Sequence, residues 1–262
     1  MYKRMYIYFF VSFLVVVSGF MPSYFLELGE NDVAHHIHSL SAILWYLLLI
    51  SQAVLIKQKK NNLHRIIGKA SFVLAPVVIG SAFHIMYVSQ TDLKMDAFWT
   101  LTFFMVDHGM ILAFAFSYFL AVRFTKQIQL HARFMAITAL VVLPAPLSRL
   151  MGASLIPDLS GMARLNIVYI LVEVIFVIIL FRDRELRFTK NPFSFFFISI
   201  LVIHGIVNFA GNSIIWAEYS NLYISAYSSA SHIVNIGWLA GFLSLAFAIY
   251  LSKLRGASES VS

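Results

Sequence analysis

The chain has 262 residues, 60% of them hydrophobic and 12% charged, with 19 Lys and Arg against 12 Asp and Glu and a formal net charge of +7. A soluble domain carries about one quarter charged residues, so a globular cytoplasmic enzyme is excluded. The absence of cysteine excludes disulfides, thiolate metal sites and covalent c-type haem, and leaves His, Asp and Glu as the metal ligands.

A hydrocarbon core about 30 Å thick needs roughly 20 apolar residues per helix. Eight such runs occur, over 5–26, 36–56, 69–89, 97–122, 134–156, 165–181, 194–216 and 231–251. They predict an all-α polytopic bundle forming a single transmembrane domain over 1–252, with a polar cytoplasmic tail at 253–262. The first run follows Lys3-Arg4 and is read as a retained helix, because no small-x-small cleavage site follows it. The second carries His38 and Gln52. It ends in a basic loop, Lys57 to Lys60, followed by Leu63-His64-Arg65 and Gly68-Lys69. The third holds Pro76 and His84, and the fourth Asp107 and His108. A second basic loop contains His131 and Arg133 and leads into the fifth run, with Pro144 and Arg149. Glu173 stands alone in the short sixth run, and His204 and Asn208 share a face of the seventh.

All the Lys and Arg residues except Lys94, Arg149 and Arg164 fall at the ends of runs that share one side with the N-terminus. The positive-inside rule then gives cytoplasmic N- and C-termini in a multi-pass cell (inner) membrane protein. The basic excess meets anionic headgroups of the lipid bilayer, with no nucleic acid as partner. Arg65 and Lys69, four apart on one helix face, are the headgroup-binding candidates.

The two basic loops align. Pro76 follows His64 by 12 residues and Pro144 follows His131 by 13, which suggests paired hairpins, helices two-three and four-five. The order His38, Gln52, Leu63-His64-Arg65-x-x-Gly68-Lys69, His131-x-Arg133-x-Met135 and Arg149 resembles a family of bacterial predicted multi-spanning membrane proteins of unknown function. The likeness covers about residues 35–152. It departs from the family at Ser39-Leu40-Ser41, where a glycine-containing stretch is usual, and at Ile137, where a second arginine is usual. The resemblance implies a bacterial inner membrane and supplies no reaction.

Nine histidines are many for so apolar a chain, and polar side chains within a bilayer normally face a bundle interior or cavity. At about 1.5 Å per residue, His84 and His108 lie roughly 22 Å above the inner rim and His204 about 18 Å. Two levels of candidate ligands follow: His38, His84 and His108 outside, and His64 with His131 inside. Gln52, Asp107, Arg149 and Asn208 are supporting polar groups. Arg149 is read as pairing with Asp107, a propionate or a substrate carboxylate.

Three functions are compatible with this layout. The first is non-covalent haem b or a divalent metal in a redox role with a membrane redox partner. Its upper and lower histidine pairs are similar in layout to cytochrome b561-type proteins. The second is a transporter, assembly factor or sensor with a polar pocket for a small ligand. The third is a zinc-dependent membrane hydrolase using His84, His108 and His204 with Asp107.

Overall fold

The computed structural model describes residues 4–92, 97–152, 158, 160–183, 185–210, 213–228 and 232–259. All regular structure among them is helical, as lipid requires: a helix satisfies its backbone polar groups within its own segment. The helices are α1 (Met5–Phe20), α2 (Val33–Lys57), α3 (Asn61–Gly68), α4 (Ser71–Asp92), α5 (Ala97–Arg123), α6 (Ile128–Leu140), α7 (Pro144–Leu150), α8 (Gly161–Arg182), α9 (Pro192–Ala210), α10 (Ile214–Ser228) and α11 (His232–Glu259).

Among the described residues seven segments are long and apolar enough to cross a membrane, and they overlap the first seven predicted runs. The eighth run lies on α11, whose described apolar part is Asn235–Tyr250. This helix continues to Glu259, past the start of the expected tail, because Lys253, Leu254, Arg255 and Ala257 are all good helix formers. The seventh run also differs. α9 is described to Ala210, residues 211–212 of the expected run lie outside the described residues, and α10 occupies what was expected to be an outer loop. Ser213 starts α10 by accepting the Trp216 backbone N–H at 3.1 Å, the usual work of an N-cap serine.

The most extensive helix contact joins α4 to α11. Gly80 and Gly241 make it possible, since a Cβ on Gly241 would meet the Pro76 carbonyl oxygen at 2.8 Å; small residues let membrane helices approach closely. α2 packs on α4, α5 on α6, α8 on α9, and α1 on both α2 and α7. The main core includes Trp45, Tyr46, Tyr118, Ile137, Phe176 and Phe193, all buried.

The fifth spanning segment is broken between α6 and α7. Pro144 has no N–H for the Leu140 carbonyl, so the Leu143 N–H turns to that oxygen at 3.2 Å. The Ala139 carbonyl loses its helical donor and accepts the Tyr46 hydroxyl at 2.8 Å instead. Irregular backbone at membrane depth persists where neighbouring helices satisfy it in this way.

At the inner rim, α2 ends sharply. Lys60 N–H bonds to the Leu55 carbonyl at 2.9 Å and Lys59 N–H to the Ile56 carbonyl at 3.0 Å, with Lys59 in the left-handed region at φ 59°. This is a Schellman turn, and it folds α3 back along the bundle rim. α3 buries none of its residues. Leu63, Ile66 and Ile67 are exposed on it beside Arg65 and Lys69, the composition of a helix lying in the membrane interface.

Candidate functional site

The inner rim assembles much of the motif that links the two hairpins. His64 on α3 and His131 on α6 meet with ring centres 6.5 Å apart and planes at 89°. His131 Nδ1–H donates to the Ala121 carbonyl at 2.8 Å, which fixes the tautomer with its lone pair on Nε2. His64 is hydrogen-bonded by the Gln52 main chain, and its Nδ1 is buried without a partner. Burial, reinforced by the charge of Arg65 and only partly offset by the Gln52 hydrogen bond, holds the His64 ring below the ordinary histidine pKa. A neutral imidazole oriented by a backbone carbonyl is the form in which histidine ligates a metal.

Gln52 lines the same place. Its side-chain oxygen lies 3.3 Å from where a Cβ on Gly68 would be, so Gly68 is what lets the amide sit against α3. The Gln52 Nε2 is buried and has no partner. Two orphaned polar atoms, one on Gln52 and one on His64, therefore border one histidine pair.

The next motif residue, Arg133, has a different environment. It lies in a basic loop, yet it is fully buried. Its Nε donates to Asp183 Oδ2 at 2.6 Å and its Nη2 to Asp183 Oδ1 at 2.5 Å. Asn191 Nδ2 donates to the same carboxylate at 3.0 Å, and Asn191 Oδ1 caps α9 by accepting the Phe193 N–H at 3.1 Å. A bidentate Arg–carboxylate pair is the strong form of this interaction, and here it fastens α6 to the turn between α8 and α9.

The outer candidates have neighbours of several kinds. His38 Nδ1 lies 3.3 Å from the Ser81 hydroxyl, which also meets Ser41 at 3.1 Å. His84 stands edge-on to Trp238 of α11, with ring centres 6.3 Å apart and its Nδ1 buried without a partner. His108 packs against Phe83 at 5.5 Å. Arg149 covers the Phe20 ring at 4.7 Å and interacts through space with both Asp107 and His38.

Among the described residues no three His, Asp or Glu side chains converge to hold a metal ion, which leaves the zinc set of His84, His108, His204 and Asp107 without a centre. His204 instead joins a cluster between α8 and α9. Its Nδ1 is 2.8 Å from Glu173 Oε1 and its Nε2 is 3.1 Å from Asn166 Oδ1. Tyr169 stacks on its ring at 5.0 Å, and Asn208 reaches Asn166 Oδ1 at 2.9 Å. Glu173 is therefore not alone, and Asn166 and Tyr169 are additions that sequence reading missed. Their spacing carried the signal: 166, 169 and 173 step by three and four, the period of one helix face.

Comparison of the chain with protein-family models, curated proteins and solved structures finds no match.

Proposed function

We propose that this multi-pass membrane protein uses His64 and His131 to hold the iron of haem b, passing single electrons with a membrane redox partner in a bacterial inner membrane. One observation carries the reading: the two histidines come from equivalent places in two hairpins, and their rings meet at 6.5 Å. Two imidazoles on opposite sides of one metal, each with a metal–nitrogen bond of about 2 Å, have ring centres about 6 Å apart. A bare tetrahedral ion would draw the rings closer and need further ligands. The neutral His64 ring and the carbonyl that orients His131 fit ligation. Arg65 and Lys69, beside His64, are cations suited to haem propionates.

The broken α6–α7 segment favours a second reading, a transporter, assembly factor or sensor, because interrupted membrane helices commonly border ligand sites.

An absorption spectrum of the protein purified in mild detergent, before and after dithionite and with metal analysis, separates the two. A sharp α-band on reduction, lost in both His64→Ala and His131→Ala, supports haem. A colourless, metal-free protein from haem-supplemented cultures overturns it and leaves the pocket reading.

A further inference from the structure

The cluster between α8 and α9 is independent of the haem reading and shares no residue with it. Its proton count follows from its hydrogen bonds. Asn208 Nδ2 donates to the main-chain carbonyl of His204 at 3.0 Å. A carbonyl only accepts, so the orientation of the Asn208 amide is fixed. The same Nδ2 donates to Asn166 Oδ1 at 2.9 Å, which fixes Asn166 with its oxygen inward. That oxygen lies 3.1 Å from His204 Nε2, so Nε2 must carry a hydrogen. The other ring nitrogen, Nδ1, faces Glu173 Oε1 at 2.8 Å. A contact of that length between a ring nitrogen and a carboxyl oxygen needs one hydrogen between them. The pair is then either imidazolium with carboxylate or imidazole with carboxylic acid. Its net charge is zero in both forms.

We propose that His204 and Glu173 form a proton-binding site in the middle of the bilayer that takes up and releases one proton. Uptake converts neutral imidazole and carboxylate into the neutral pair, and release leaves one negative charge on Glu173. Glu173 is nine residues from Arg182, and His204 is twelve from Pro192. At 1.5 Å per residue these place the pair about 14–18 Å into a core about 30 Å thick. An ionisable pair at that depth is costly and marks a functional position. The two side chains retain 15% and 14% exposure. The groups facing it are Tyr169 of α8, stacked on the imidazole, and Asp107 of α5, which interacts through space with Tyr169. Arg149 of α7 opposes the charge of Asp107 through space.

Isotope-edited infrared spectra of the full-length protein in lipid nanodiscs, with labelled Glu and His, test this between about pH 4 and about pH 10. The expected result is a carboxyl band and an imidazole band that change together in one step. The step is lost in Glu173→Gln and in His204→Gln, and its midpoint shifts in Asn208→Leu. Bands that stay constant across the range, with no deuterium exchange after hours in heavy water, overturn the proposal and make the pair a fixed structural pin. If the Gln variants fail to fold, Glu173→Asp still decides: it keeps a carboxyl facing the ring and should retain the coupled step with a shifted midpoint, and a spectrum identical to wild type overturns the proposal.

Discussion

The Tyr46 hydroxyl donates to the Ala139 carbonyl at 2.8 Å, across the gap between α2 and the broken segment, with both residues fully enclosed. The Tyr46→Phe variant keeps the ring and strands that carbonyl in an apolar interior. An unsatisfied buried acceptor costs about 1–3 kcal/mol. Thermal unfolding in detergent should show a lowered midpoint, and an unchanged midpoint would mean that the break closes by other means.

Arg133 and Asp183 make a sharper case. Removing one partner of a buried ion pair leaves an uncompensated charge and costs about 3–5 kcal/mol, whereas replacing both with apolar residues can be neutral. Arg133→Met and Asp183→Leu should each reduce folded yield and unfolding temperature strongly, and the double variant should recover much of the loss. Arg133→Lys should not rescue, since an ammonium cannot reproduce the forked contact. Additive losses in the double variant would refute the coupling.

Lys59 occupies a left-handed position at φ 59° in a Schellman turn where glycine is the usual residue. A side chain there costs roughly 1–2 kcal/mol, of which greater flexibility in the unfolded chain offsets part. Lys59→Gly is expected to raise the unfolding midpoint slightly, while Lys59→Val should lower it. Equal effects from the two would show that the turn is not under strain.

The interfacial helix α3 presents Arg65 and Lys69 together. Each basic residue near an anionic surface contributes about 1 kcal/mol, so Arg65→Gln with Lys69→Gln should weaken retention of anionic lipid roughly tenfold or more. Native mass spectrometry with mixed anionic and zwitterionic lipids reads this directly. The same double variant retaining its anionic lipid would transfer the role to other loops.

Sequence and structure agree most closely on the spanning segments, because lipid punishes an unpaired backbone so severely that apolar length alone identifies a helix. Pro76 and Pro144 mark where that logic stops. Both follow a histidine at nearly the same distance, yet α4 runs through Pro76 while the fifth segment breaks at Pro144. The break depends on a hydroxyl from another helix, which no local pattern encodes. The inner histidines were legible as a pair because two loops repeat one another. For the outer ones depth gives height and leaves rotation undetermined, so the contacts of His38 with Ser81 and of His84 with Trp238 could not be read from it. The burial of Arg133 was illegible for a related reason. Its carboxylate partner lies 50 residues along the chain, and a count of basic residues in a loop cannot reveal it.

The close seating of α11 on α4 also sets an order of assembly. Gly241 meets the Pro76 carbonyl and Gly80, which stand more than 160 positions earlier in the chain. While the ribosome is still making the middle of the protein, that glycine-lined face of α4 has no mate. It must wait in lipid, or against an insertase, until α11 is threaded. Seating of α11 is therefore a late, long-range event, and a chain that stalls before it leaves an open seam along α4 beside His84.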